Sequence, residues 1–441
     1  MARAPKNKKL PRKKAGRKST GQGSVPTGGS RQDRTLRPLE RLLFEAAGNF
    51  SGDYILLTST AGAQAAAEVA RRNPNAEVTC NYFDVFLAQA AKKRWEDVEN
   101  FGVTCLVDLP EGRADCVGLA LPARGENELA RDLIQTAHLR MGATPETDGA
   151  GRLIVSTDNP KDKWVHEQLS DAFSKVTVRS EKDGRLYIAA KPKPLKKLRE
   201  FQAWFAFRDK GRLFDVMSRP GVFSHRKLDL GARALIESLS ILDGKRSFEV
   251  VQSGMKILDL GCGTGAVGFA ASARADSISI HALDANARAV QCAQAGAEKN
   301  GLTKKNYSTQ LECDGECKGA GTFDLVLANP PYFSKYRIAE AFLKATRRAL
   351  KPGGRTHFVT KQPKWYIEKF ASVFEDVSVR EVRGYFIVKG TQPKKKRQAS
   401  ANRTSTARKE KAAKKTPRGN IPKSKTKTSK QARQKRPQKA E

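Results

Sequence analysis

The strongest constraint on the fold of this chain is that one ordered set of segments is written in it twice, about 200 residues apart. Tyr54-Ile-Leu-Leu-Thr-Ser-Thr-Ala-Gly-Ala runs parallel to Lys256-Ile-Leu-Asp-Leu-Gly-Cys-Gly-Thr-Gly, and the strand pattern ending at Asp84 matches the one ending at Asp284. Asp115-Cys-Val-Gly-Leu-Ala-Leu-Pro answers Asp324-Leu-Val-Leu-Ala-Asn-Pro-Pro, and Lys163-Trp-Val-His-Glu echoes Lys364-Trp-Tyr-Ile-Glu. Four matches in one order at nearly one offset predict a duplicated unit. Within each copy short apolar runs alternate with helical patterns, which predicts an α/β fold with a mostly parallel sheet. The copies are expected at 39–190 and 200–390, joined by a linker over 191–199 that is rich in proline and lysine.

Charge separates this body from its ends. The chain has 82 Lys and Arg against 46 Asp and Glu, a net charge of +36. Residues 1–38 carry a net +11 and residues 391–441 a net +17, which leaves only +8 on the body. Both ends are nearly free of large apolar side chains, so they are expected to be disordered. Like-charge blocks of this size act as nucleic-acid arms, neutralising phosphates without reading sequence.

Other classes are excluded on simple grounds. No apolar run approaches the roughly 18–20 residues that span a bilayer, so no membrane partner is expected. The basic start has no apolar segment behind it and does not read as a secretory signal. Seven scattered cysteines make no disulfide framework, which suggests a reducing cytosol. Cys313 and Cys317 lack a second Cys or His pair at zinc spacing, so no metal site is expected. Oligomeric state leaves no mark on the sequence.

The copies differ where chemistry belongs. The second has Asp259, Gly261, Gly263, Gly265 and Asn329 where the first has Leu57, Ser59, Ala61, Ala63 and Ala120. Asp84 is the one site-like acid kept in the first copy, and without glycines around it a surface position is expected. Glycines at this spacing let the backbone turn tightly and approach a ligand. They alone leave a dinucleotide open. Asp259, two residues before the loop, suits a cationic ligand better than a pyrophosphate. Asp284, at the end of the next strand, suits ribose hydroxyls, and Asp314, after a third, could accept from an adenine amine.

That set resembles the class I S-adenosylmethionine-dependent methyltransferases over roughly 200–390. The resemblance implies S-adenosylmethionine as cofactor and two tandem Rossmann-like domains, each with a mostly parallel seven-stranded sheet and helices on both faces. Asn329-Pro330-Pro331-Tyr332 sets a stiff polar turn after an apolar strand. Asn329 and the Pro330 carbonyl offer two acceptors to one planar amine, and Tyr332 offers an aromatic face to a base. The loop resembles that of enzymes methylating exocyclic or amide nitrogen, on guanine N2, adenine N6 or protein glutamine N5.

Arg219-Pro-Gly-Val-Phe-Ser-His-Arg-Lys-Leu-Asp-Leu-Gly-Ala resembles a segment of ribosomal RNA guanine-N2 methyltransferases, the C-type small-subunit enzymes and their large-subunit relatives. Those enzymes also pair a degenerate copy with an active one. The resemblance implies guanine-N2 methylation of ribosomal RNA, as naked RNA or in a subunit. It also implies that Phe223 borders donor and base and that Asp229 helps fix the site. Alternatively, Phe223 packs a helix start and Asp229 caps it. Ala232 stands where the family commonly has Ser. A non-catalytic RNA-binding assembly factor is the remaining alternative.

Overall fold

The computed structural model describes residues 36–141, 151–243, 246–331 and 336–394. Most of both charged ends (1–35 and 395–441) and Tyr332 lie outside the described residues.

The first copy runs α1 (Pro38–Glu45), β1 (Tyr54–Thr58), α2 (Gln64–Arg72), β2 (Glu77–Tyr82), α3 (Val85–Arg94), β3 (Phe101–Cys105), β4 (Cys116–Ala120), α4 (Asn127–Arg140), β5 (Arg152–Thr157), α5 (Trp164–Ala172), β6 (Phe173–Glu181) and β7 (Gly184–Pro192). A hairpin, β8 (Ala203–Asp209) and β9 (Arg212–Ser218), opens the second part. It is followed by α6 (Leu230–Glu237) and a small hairpin, β10 (Ser240–Asp243) with β11 (Arg246–Glu249). The second copy then runs β12 (Lys256–Leu260), α7 (Ala266–Ser272), β13 (Ser279–Asp284), α8 (Ala287–Lys299), β14 (Tyr307–Leu311), β15 (Phe323–Ala328), α9 (Arg337–Ala349), β16 (Leu350–Thr360), α10 (Pro363–Ala371), β17 (Glu375–Val382) and β18 (Tyr385–Thr391).

The duplication is carried to the last strand. One seven-stranded sheet is ordered β3-β2-β1-β4-β5-β7-β6 and the other β14-β13-β12-β15-β16-β18-β17. In both, the first five strands of that order pair in parallel and the last two add antiparallel. Central strands are apolar on both faces because helices cover both faces. Ile257, Leu325 and Leu327 enter one core while Leu258, Leu260 and Val326 enter the other, and Ile55 and Leu56 divide the same way. Each such side chain removed from water contributes roughly 1.5–3 kcal/mol. Even a detail of strand pairing recurs. Asp115 accepts from the amide of Tyr54 at 3.0 Å, and Asp324 accepts from that of Lys256 at 2.9 Å, tying β4 to β1 and β15 to β12.

Two sequence boundaries shift. β7 extends through Lys191 and Pro192, and the linker stays strapped to α4, since Arg199 exchanges two bonds of 2.9 Å with Gln135. At the other end β18 runs to Thr391 and Gln392 still donates to Gly354 at 2.8 Å, so the sheet extends past 390.

The copies meet through equivalent turns. Val85 donates to the carbonyl of Ala285 at 2.9 Å and Ala287 to that of Phe83 at 2.8 Å, a reciprocal exchange that makes Asp84 and Asn286 a bridge. Asp84 caps α3 and Asn286 caps α8 in the same way. Strand register gives the reason: Tyr54 pairs with Glu77 as Lys256 pairs with Ser279, which makes Tyr82 the counterpart of Asp284. The expected match of Asp84 to Asp284 is therefore two residues out of step. Asp84 is also no free surface residue but a half-buried cap at the junction. Beside it Arg288, 1 % exposed, lies over the Phe83 ring and pairs with Asp132 at 2.7 Å and Asp108 at 3.2 Å.

Candidate active site

In an open parallel sheet, ligands bind outside the carboxyl ends of strands where strand order reverses. Here that point lies between β12 and β15, whose last residues Leu260 and Ala328 are paired neighbours. The glycine loop leaves the first and Asn329 follows the second, so both sequence motifs emerge side by side.

The three loop glycines all have positive φ, 70° at Gly261, 54° at Gly263 and 83° at Gly265. Their environments separate their roles. A Cβ on Gly261 would strike Phe342 at 2.7 Å, and one on Gly265 would strike Phe269 and the Tyr307 hydroxyl at 2.8 Å. A Cβ on Gly263 would meet nothing within 4 Å. Two glycines thus allow packing, while the third faces open space.

Beneath the loop Asp259 is 3 % exposed and accepts from the amide of Gly268 at 2.9 Å. Burial pushes its pKa from 3.8 up to about 7; the Gly268 bond opposes the rise and nearby Asp284 adds to it. Asp284 accepts from Asn286 at 2.9 Å with one oxygen and from Gly263 at 2.8 Å with the other. It thereby fixes the loop to the next turn, and each oxygen keeps a lone pair for a further donor. Burial, the largest cause, raises its pKa too.

Asp314 is exposed and lines a shallow cleft with Cys313, Glu316, Lys344 and Arg348, its carbonyl held by Arg348. It does not join the group around the loop. Glu312, which the sequence reading passed over, is nearer: its amide donates to the Asp284 carbonyl at 3.0 Å. The signal was an acid directly after β14, masked by the acid two residues later.

On the acceptor side, Asn329 donates its amide to Asp229 at 2.9 Å, and the same Asp229 oxygen accepts from Ala232 at 2.9 Å to cap α6. Asp229 thus starts the helix, as the capping alternative has it, and also holds the Asn329 NH₂, turning that side chain's oxygen the other way. Pro330 is buried behind Asn329. The packing alternative for Phe223 is overturned, since that ring is 64 % exposed, as is Leu230 at 63 % beside the cap. At Ala232, 9 % exposed, the backbone amide supplies the bond. His225 sits behind the loop, between Ser218 at 2.9 Å and Glu128 at 2.8 Å.

The equivalent place in the first copy is filled. Leu57 lies in the core and Ala120 ends its strand without a polar group. Buried Glu40, from α1, accepts from the Ser59 hydroxyl and from the amide of Ala65, and the Tyr82 hydroxyl donates to the carbonyl of Ala61 at 3.0 Å.

The comparisons with known proteins cover the second copy most closely. The family model described as methyltransferase small domain matches residues 214–389. The uncharacterized protein YbxB of Bacillus subtilis is 33% identical over 193 residues, 43% of this chain and 90% of that one. Ribosomal RNA small subunit methyltransferase C of Shewanella piezotolerans is 27% identical over 237 residues, 52% of this chain and 65% of that one. Its namesake in Vibrio parahaemolyticus is 33% identical over 34% of this chain and 41% of its own. The match thus spans less than two thirds of either methyltransferase C. Among solved structures, the T. thermophilus 16S rRNA N2 G1207 methyltransferase, in complex with AdoMet and guanosine, aligns with a TM-score of 0.64 and 22% identity. That alignment covers 82% of this chain and 94% of that one. The shared fold therefore includes both copies.

Proposed function

Because the chain belongs to the family of methyltransferase small domains, we propose that it moves a methyl group from S-adenosylmethionine to the exocyclic N2 amine of a guanine in ribosomal RNA. The observation that carries the acceptor half is the bond between Asn329 and Asp229. With its NH₂ held by that carboxylate, Asn329 presents an oxygen acceptor, which suits an amine donor. The Pro330 carbonyl is the second acceptor, Phe223 with Leu230 frames the base, and Tyr332, two residues after Pro330 in the sequence, is the aromatic residue we assign to stack on it.

S-adenosylmethionine, when bound, supplies an electrophilic methyl on a sulfonium that departs as a neutral thioether. The residues present fit it. The space at Gly263 admits a ligand against the backbone, Asp284 keeps acceptors for vicinal hydroxyls, and Asp259 offers negative charge to a cationic group. Asn329 and Pro330 hold the two amine protons so that the nitrogen lone pair faces the donor, and one proton leaves to water after transfer. No group here needs to act as a strong base. Positioning and electrostatic matching supply the acceleration.

The name of the Shewanella relative supports ribosomal RNA as substrate class, and the net charge of +36 suits a phosphate-rich partner. All seven cysteines are free, which is in keeping with the cytosol. Among the described residues no helix is long and apolar enough to cross a membrane. The test is to incubate ribosomal RNA and subunits from a deletion strain with the protein and labelled donor, then identify the methylated nucleoside by mass spectrometry. N2-methylguanosine is expected. Label in N6-methyladenosine or in protein glutamine, or no transfer at all, overturns the reading.

A further inference from the structure

The segment that carries Phe223 and ends at Asp229 belongs to the second copy, where Asn286 and Arg288 hold its Gly221 and Pro220 carbonyls, but three acids of the first copy hold it as well. At its start Arg219 pairs with Asp108 and donates to Gln291 at 2.8 Å. Gly221 donates its amide to Glu126 at 2.7 Å. Glu128, on the first turn of α4, then takes both His225 at 2.8 Å and Arg226 at 3.0 Å. His225 and the Arg226 amide in turn share the Ser218 hydroxyl at 2.9 and 3.0 Å.

The backbone so held is unusual. Gly221, Ser224 and Arg226 have φ of 85°, 60° and 67°. Left-handed Ser and Arg persist only where surrounding contacts hold them. The start of α4 supplies Glu126 to Gly221 and Glu128 to Arg226, and Ser218 and Asn286 supply the rest together with a local Ser224–Lys227 turn. The far end of the segment is Asp229, which orients Asn329. Glu126, Glu128 and His225 come close enough to invite a cation, but Arg226 already occupies the Glu128 carboxylate, so the cluster is a charge clamp.

We propose that the start of α4 in the site-less copy sets the acceptor loop of the active copy, with Glu126 and Glu128 as positioning residues for the base. Neither residue touches donor or acceptor. The proposal rests on the methyl-transfer reading for its kinetic consequence only; the clamp itself is a statement about the loop.

The test uses the full chain with Glu126→Ala and Glu128→Ala, singly and together, and the conservative Glu128→Gln. Hydrogen–deuterium exchange should quicken at least tenfold across 219–229 in the double variant and stay unchanged across 256–265. Unchanged exchange across 219–229 overturns the clamp, whatever the enzyme does. In methyl transfer to ribosomal RNA, the double variant should lose at least tenfold in kcat/KM for RNA with the donor Kd within twofold. Glu128→Gln, which keeps an acceptor for His225, should recover most of that loss. A parallel loss of donor affinity, or unchanged kcat/KM beside quickened exchange, overturns the positioning role. Absence of transfer by the wild type would instead count against the proposed function and leave the exchange experiment to decide the clamp.

Discussion

Replacing Asp259 by Asn changes a charge and almost nothing else, so it tests the donor side of the site cleanly. The side chain is 3 % exposed, and burial raises its pKa from 3.8 to about 7. The folded chain therefore keeps a proton that the unfolded chain has lost between about pH 4 and pH 7. Stability must fall as the pH rises through that window and level off above it. At about 1.4 kcal/mol per tenfold change in the proton equilibrium, the rise in pKa sets a ceiling of about 4 kcal/mol on the loss. Each kcal/mol moves Tm by roughly 2–4 °C in a domain of 150–250 residues. Asp259→Asn cannot ionise, yet keeps an oxygen for the Gly268 amide at 2.9 Å. Thermal unfolding of donor-free protein across this range should show the two proteins nearly alike at low pH. The variant should be several degrees more stable on the alkaline side. Parallel curves at every pH would refute the argument that an ionising carboxyl is buried there. Saturating S-adenosylmethionine should then raise the Tm of the wild type more than that of the variant at high pH. Equal rises would mean that Asp259 does not serve the cationic part of the donor.

Four further substitutions or deletions separate the remaining roles. Asn329→Ala should abolish methylation while the donor Kd, measured by calorimetry, stays within twofold; joint loss of both would count against the role given to Asn329. Gly263→Asp should lower Tm by only a few degrees, since its Cβ enters open space and the cost is about 1 kcal/mol for a side chain at positive φ, and remove donor binding; retained binding sinks the loop assignment. Deleting 395–441, which spares β18, should weaken RNA binding and make log Kd less steep in log salt. If the slope and affinity hold at every salt concentration, the basic arm is not an RNA arm. Arg288→Met strands buried Asp132 and leaves Asp108 to Arg219 alone, and denaturant unfolding should read a loss of about 3–5 kcal/mol; a loss below about 1 kcal/mol would show that this buried network carries little of the junction.

What was legible in the sequence followed local rules. The glycine loop, the strand ends and Asn329 each depend on residues adjacent in the chain, and all came out where periodicity and turn chemistry put them. What was not legible depends on pairing between distant segments. The slip that set Asp84 against Asp284 arose because both are acids near a strand end. Only the strand register makes Tyr82 the true counterpart and pairs Asp84 with Asn286. Glu40 looks like an ordinary residue of an amphipathic helix, and its burial against Ser59 appears only when α1 closes over the sheet. Arg288 reads as a surface arginine in the first turn of a helix, yet it is among the most buried side chains of the molecule because the other copy packs over it.

The two copies also explain how a fold survives the loss of a site. The strands are built from their cores and their amino ends, where Asp115 and Asp324 do the same work in both copies. The proposed chemistry sits at the carboxyl ends, where a residue can change with little cost to packing. Ala63 keeps the left-handed turn of Gly265 with φ of 56°, while Ser59 and Ala61 do not keep the positive φ of Gly261 and Gly263, so only the helix end of the loop is retained after its glycines are gone. The turn that follows β2 then gains a different use. Asp84 caps its own helix, bridges Asn286 and adds negative potential that helps hold the pKa of Asp284 up. The copy that lacks the glycine loop thus reaches the one that has it at two places, through Asp84 beside the proposed donor-binding acid and through α4 beneath the proposed acceptor loop. Removing the first copy should accordingly disturb both halves of the site, whereas breaking the α4 contacts alone should disturb only the acceptor half.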